Sequence, residues 1–286
     1  MGRETRRNIR NIDQIQFHVD RKRALTAFDA YTVCYDRADE KVKLKIDHTY
    51  RVAALCERIA RENGLQGAAL DLAWTIGLLH DVGRFEQLRR YGTFVDAQSI
   101  DHAQFGADIL FLDGGIEAYL PDDTPQEIMT LIETAIRNHS LYRIAEDLDE
   151  RTTRYCHILR DADKIDIMRV NVDVPLEEIY NTTTQALRSS VVSEAVLQSF
   201  SEEHATLRSL KKTPVDYVAG HISLVFELVF PVSVRIMREQ GYLEKLLHFE
   251  SDCEKTREQF AWMRERVEAY MERRLSEQQN GQGAAK

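Results

Sequence analysis

A chain of 286 residues with 43% hydrophobic and 30% charged side chains is long enough to bury a substantial core and reads as an ordinary soluble globular protein. A formal net charge of -9 disfavours a role in coating nucleic acid, which depends on Lys and Arg neutralising phosphates. Cys34, Cys56, Cys156 and Cys253 stand far apart with no CxxC pair, which argues against a zinc ribbon, a dithiol centre or a disulfide framework and leaves them as small buried hydrophobes.

The chain begins MGRETRRNIRN, a basic stretch with no apolar run behind it, so a flexible tail over residues 1–16 and a cytoplasmic location without signal or anchor are expected. Beyond it nearly every long segment has helical periodicity, few runs alternate with period two, and prolines are scarce, which gives an all-α fold. The helix around LKIDHTYRVAALCERIARENG should stop at Gly64, and the next, GAALDLAWTIGLLH, is apolar nearly all round and should be central. In TPQEIMTLIETAIRNHS, Thr124 as N-cap, Pro125 at the first helical position and Glu127 closing a capping box predict a helix start. The run HISLVFELVFPVSV, residues 221–234, is too short for a membrane span and is expected to be a buried or subunit-packing helix. EKTREQFAWMRERVEAYMERRL reads as a surface helix, and residues 275–286 as a disordered end.

Polar side chains interrupt the apolar faces at a few places. His48 shares a stripe with Val52, Leu55, Cys56 and Ile59; His102 with Phe105, Ile109 and Leu112; His139 with Ile128, Leu131, Ile132 and Ala135. Asp163 follows Cys156 and Leu159 and precedes Ile167, with Asp161 as its competitor, and the doublet His80-Asp81 ends the apolar segment. One histidine on an apolar face is usually a core residue bonded to a carbonyl. Aspartates where burial is expected, with no Lys or Arg on the same stripe, are costly unless a cation is shared. Imidazole and carboxylate ligands suit zinc, iron, manganese, cobalt or nickel rather than calcium. Consecutive residues at a helix end diverge by roughly 100 degrees, so Asp81 can bridge one metal while His80 holds another.

The blocks HTYRVA, LLHDVGR and ADKID, in that order, resemble the HD-domain metal-dependent phosphohydrolases, an all-α superfamily that hydrolyses phosphate esters of nucleotides and related compounds. The resemblance covers roughly residues 40–170 and implies Asp163 rather than Asp161 as ligand; an HD-like helical core over residues 17–170 with a C-terminal helical extension over 171–274 is expected. His102 and His139 resemble the extra histidines of the two-metal branch, which includes the symmetrical dinucleoside tetraphosphatases and the HD-GYP cyclic-di-GMP phosphodiesterases. The chain departs from the latter in lacking the GYP segment and in carrying Asn138 where a paired histidine stands. On this resemblance His48, His80, Asp81 and Asp163 hold one divalent metal, and Asp81, His102 and His139 the second.

Two aspartates against two divalent ions leave a cationic centre that attracts phosphate, and two metals can activate water and clamp a phosphoryl oxygen. Arg84, in HDVGR, is a catalytic candidate beside Asp81. Arg51, Arg89, Arg90, Tyr91 and Lys164, with Phe94, are candidates for binding the substrate, expected to be a nucleotide or similar small phosphorylated molecule. The C-terminal helices offer a surface for homo-oligomerisation. The rival readings are a one-metal nucleotidase and a catalytically silent nucleotide sensor.

Overall fold

The computed structural model describes residues 17–283, with side chains to residue 277, so the expected flexible segment 1–16 lies outside the described residues. Among the described residues there are helices and no strand, and no helix is long and apolar enough to cross a membrane. The chain divides into two compact units, Met1–Ala162 and Asp163–Lys286. The division falls inside one unbroken helix, Glu150–Asp173.

The first unit is built from α1 (Arg21–Thr32), α2 (Glu40–Glu62), α3 (Ala68–Leu79), α4 (Val82–Tyr91), α5 (His102–Phe111), α6 (Gln126–Asn138) and the start of α7 (Glu150–Asp173). Asp20 caps α1, its carboxylate accepting from the amides of Lys22 and Arg23, and Asp39 does the same for α2 through Lys41. α2 ends at Glu62, and Gly64 follows with φ +88°, the left-handed turn that the sequence predicts. α3 is buried at every position from Leu72 to Leu79, so it is the central post.

Two glycine contacts set the spacing around that post. A Cβ on Gly77 would stand 2.7 Å from Ala53 Cα, so α2 and α3 touch backbone to backbone. A Cβ on Gly83 would stand 2.3 Å from the His102 carbonyl oxygen and 2.7 Å from Gly106 N, which places α4 equally close to α5. These close approaches bring the ends of separate helices within side-chain reach of one another.

The start of α6 differs from expectation. Pro125 is extended (ψ 139°) and itself precedes the first helical residue, Gln126, while the Thr124 hydroxyl donates to Pro121 O instead of capping. Thr124 thus closes a local turn, a use of its hydroxyl that competes with capping. The cysteines also divide: Cys56 and Cys156 are buried, but Cys34 is exposed and Cys253 partly so.

The second unit holds α8 (Leu176–Tyr180), α9 (Thr184–Ser189), α10 (Glu194–Ser201), α11 (Pro214–Ile222), α12 (Pro231–Gln240), α13 (Tyr242–Leu247) and α14 (Glu254–Gly283). Val196, Phe200, Val218, Phe226, Ile236, Phe260 and Val267 are among its buried residues. Residues 221–234 are not one helix: α11 ends at Ile222, a 3-10 turn spans Ser223–Glu227, and Pro231 starts α12. Proline is favoured at that first helical position and unfavourable inside a helix. α14 runs to Gly283, beyond residue 275 where disorder was expected, and residues 284–286 lie outside the described residues.

Candidate metal centre

The doublet His80-Asp81 occupies the joint between α3 and α4. His80 is the C-cap of α3, and Asp81 takes φ -110°, ψ 17°, breaking the helix before Val82 restarts it. Asp81 is thus the N-cap of α4, where aspartate usually accepts from a backbone amide of the first turn. Its side chain makes no such bond. The carboxylate turns instead into a ring of histidines and is 3% exposed.

The two oxygens of Asp81 face different partners. Oδ2 lies 3.6 Å from His48 Nε2 and 3.6 Å from His80 Nε2. Oδ1 lies 3.5 Å from His102 Nε2 and 3.8 Å from His139 Nε2. The imidazoles follow one another edge to face, His48 to His80 at 5.3 Å, His80 to His139 at 5.2 Å and His139 to His102 at 4.9 Å between ring centres. Asp163, on α7 directly after Ala162, has a carboxylate oxygen within 4.8 Å of ring nitrogens of His48 and His80; Asp161 joins no such group among the described residues.

Hydrogen bonds at the far nitrogens fix where the lone pairs point. His80 Nδ1 is 2.7 Å from Gly77 O and His139 Nδ1 is 2.7 Å from Ile136 O. A carbonyl only accepts, so in both rings a proton sits on Nδ1, and in the neutral ring Nε2 carries the lone pair. His102 Nδ1 is 2.7 Å from Asp96 Oδ2, with the same consequence. Burial, reinforced by the Arg84 charge, pushes the His102 imidazolium down to about 4, so the ring is neutral at pH 7.

With His139 neutral, its Nε2 and His102 Nε2 face each other at 3.0 Å with a lone pair on each. Two acceptors cannot bond to each other; a shared cation resolves the contact. Two imidazole nitrogens each about 2.1 Å from one ion stand roughly 3 Å apart when their bonds are near a right angle. The donor set can therefore hold a metal cation, with His48, His80 and Asp163 forming one group and His80, Asp81 and His139 another.

The charges around Asp81 are balanced by two cations. Lys45 Nζ lies 2.7 Å from Asp81 Oδ2, and Arg84 Nε lies 3.6 Å from Oδ1. Burial opposes ionisation of Asp81, yet Lys45, the neighbouring histidines and Arg84 hold its carboxyl well below the usual range. Arg84 is anchored through one nitrogen: Nη1 donates to Gln87 Oε1 at 2.8 Å, Phe94 O at 2.7 Å and Asp96 Oδ1 at 2.8 Å. Its Nε is buried and has no hydrogen-bond partner, a donor edge presented towards Asp81.

The expected substrate-binding residues divide. Arg89 and Arg90 both pair with Glu86, at 2.6 and 2.5 Å, and lie over the rings of Tyr35 and Phe105. Tyr91 is 46% exposed at the end of α4. Arg51 is half-buried one turn beyond His48, and Lys164 is buried next to Asp163. Phe94 does stand beside the centre, its ring 5.5 Å from Lys45 Nζ and 5.8 Å from the Arg84 guanidinium.

Three residues escape the sequence reading. Lys45 precedes His48 by three positions on the same helical face, so its place was legible from spacing. Asp96, in the connection between α4 and α5, has no periodic signal. Arg160 is buried on α7 and donates to the carbonyls of Asn138, His139, Leu141 and Tyr142, holding the end of α6 that carries His139. The first two are orphan carbonyls of the helix end and the other two belong to the connection beyond it, and a guanidinium with several donors meets them well.

Residues 46–168 match the family model described as HD domain. No curated protein and no solved structure matches the chain. All six candidate ligands, from His48 to Asp163, lie inside the matched span, so this segment of the chain is similar to an HD domain.

Proposed function

We propose that the protein is a two-metal phosphohydrolase that cleaves a phosphate ester or anhydride of a nucleotide or similar small molecule. The observation that carries this reading is the division of Asp81, whose Oδ2 faces His48 and His80 and whose Oδ1 faces His102 and His139. In this reading His48, His80, Asp81 and Asp163 hold one metal and Asp81, His102 and His139 hold the other, each an ion from the iron, manganese, cobalt, nickel or zinc series. Divalent ions at such a pair polarise a phosphoryl oxygen and lower the pKa of water, so that in-line displacement at phosphorus proceeds near neutral pH.

The protein side chains supply binding and orientation. Arg84, fixed at Nη1, offers the unbonded Nε and the adjoining Nη2 edge to two phosphoryl oxygens, the fork geometry that suits phosphate. Lys45, now paired with Asp81, is placed to take a third. Gly77 O and Ile136 O accept from the outer nitrogens of His80 and His139 and so select the neutral tautomer whose inner nitrogen can bind a metal. Phe94 lies beside both cations, its ring 5.5 Å from Lys45 Nζ and 5.8 Å from the Arg84 guanidinium.

A metal-supplemented screen over mono-, di- and cyclic nucleotides and simple phosphate esters tests the proposal, with Asp81→Ala as control. Hydrolysis of at least one class by the wild type, lost by more than about 100-fold in Asp81→Ala, is the expected result. Full turnover in the variant contradicts it. Binding of a nucleotide by metal-loaded protein without hydrolysis of any favours the sensor.

A further inference from the structure

Asp96 stands outside the ligand set, on the 3-10 turn Asp96–Gln98 between α4 and α5. Both of its oxygens are engaged. Oδ2 accepts from His102 Nδ1 at 2.7 Å, while Oδ1 accepts from Arg84 Nη1 at 2.8 Å and Gln87 Nε2 at 2.9 Å. Gln87 is fully buried and also donates to Ser99 Oγ at 2.9 Å and Ile100 O at 3.0 Å. The turn is therefore fastened to α4 from behind, and Asp96 cannot simply follow its partners if they move.

A carboxylate on the outer nitrogen of a metal-binding imidazole fixes the tautomer and the ring plane. Here one such carboxylate also accepts from the guanidinium that faces the bridging aspartate. We infer that Asp96 is a positioning residue that sets the second metal position and the phosphate-binding arginine together, Oδ2 orienting His102 and Oδ1 orienting Arg84. This rests on the two-metal phosphohydrolase reading given above.

The two oxygens have separable duties. Asp96→Asn keeps size and one acceptor oxygen. With that oxygen towards Arg84 and Gln87, two donors are satisfied and the new amide nitrogen meets only His102 Nδ1. The reverse orientation sets the amide nitrogen against both donors, so the first is preferred. Donor then faces donor at His102, and the ring either turns or moves its proton to Nε2, where it blocks a metal.

The test is calorimetric titration of chelator-stripped protein with Mn2+, followed by binding of inorganic phosphate to the metal-saturated forms. Wild type is expected to bind two ions per chain. Asp96→Asn should keep the first affinity and weaken the second by about 10- to 100-fold, with phosphate affinity close to wild type. Asp96→Ala should weaken both the second ion and phosphate, and Asp96→Glu should recover part of the second-ion affinity. A purely structural role would lower thermal stability in these variants and leave both metal affinities unchanged, which overturns the inference. Fewer than two ions in the wild type overturns the two-metal reading beneath it; two in the wild type with an unaltered second ion in Asp96→Asn overturns the role of Asp96 alone.

Discussion

Replacing Gly83 by alanine tests whether the close crossing of α4 and α5 is what assembles the second half of the centre. The added Cβ would lie 2.3 Å from His102 O, 2.7 Å from Gly106 N and 2.9 Å from Gly106 Cα, where ordinary contact begins at 3.4 Å. All three obstacles are backbone atoms, so no rotamer change relieves them. The helices must part by about 1.1 Å, the difference between 3.4 and 2.3 Å. Overpacking of this kind costs about 1–3 kcal/mol, and the rigid obstacle puts the expectation at the upper end. At roughly 2–4 °C per kcal/mol, the midpoint of thermal unfolding should fall by about 6–12 °C.

His102 would move with its helix. A shift of about 1 Å away from Asp81 Oδ1, from which Nε2 is now 3.5 Å, should lower turnover by about 100-fold and weaken the second metal. Gly92→Ala is the control: Gly92 has φ +67° and nothing within 4 Å of an added Cβ, so it should lose about 1 kcal/mol through strain and keep activity. Unfolding scans, metal content and hydrolysis well below the midpoint read out both variants. Gly83→Ala with wild-type midpoint, two metals and full turnover would refute the reasoning.

Further outcomes follow from the charges. Lys45→Met leaves the buried Asp81 carboxylate without its nearest cation and should destabilise the metal-free protein by about 3–5 kcal/mol, with much of the loss recovered on adding metal; paired unfolding scans with and without chelator check this. Burial raises the Asp96 carboxyl, but the hydrogen bond from His102 and the Arg84 charge outweigh it and hold it down to about 2. The folded state then binds fewer protons than the unfolded one between roughly pH 4 and 2, so about 2 kcal/mol present above that window disappears as pH falls through it; acid unfolding of chelated wild type against Asp96→Asn measures the difference. Lys211 shows the opposite balance: burial, with Arg208 nearby, lowers its ammonium to about 8. The unfolded state binds the extra proton between pH 8 and about 10.5, so Lys211→Met should stabilise the protein by about 2 kcal/mol at pH 7, allowing for solvent screening, and the gain should vanish as pH rises above 10.

Many inward-facing residues were legible, because burial and helical spacing speak together, but the stripe drawn from His102 through Phe105, Ile109 and Leu112 was not the buried one: Leu112 is 73% exposed, and Ala103, Gly106, Ala107 and Leu110 are buried with His102. His48 lies on the stripe with Val52, Leu55, Cys56 and Ile59, and the apolar run before His80 is the buried α3. The irregular connections were not legible. Asp96 occupies a 3-10 turn with no period to betray it, and its place depends on Gln87 and Arg84 from another element. Arg89 and Arg90 were read as phosphate contacts because charge near a site suggests function. Their distance from Glu86 is three and four residues, the spacing of ion pairs along a helix, and the structure places them there. Residues 221–234 misled through hydrophobicity: the run was read as one helix although Pro231 interrupts it, and Pro231 is where a new helix starts.

Anomalous diffraction from crystals grown with Mn2+ or Zn2+ addresses the division of Asp81 most directly. The account predicts two peaks about 3.5–4 Å apart, one between Oδ2 of Asp81, His48 and His80, the other between Oδ1, His102 and His139. A single peak on the His48 side, with His102 and His139 bonded only to protein or water, would contradict it.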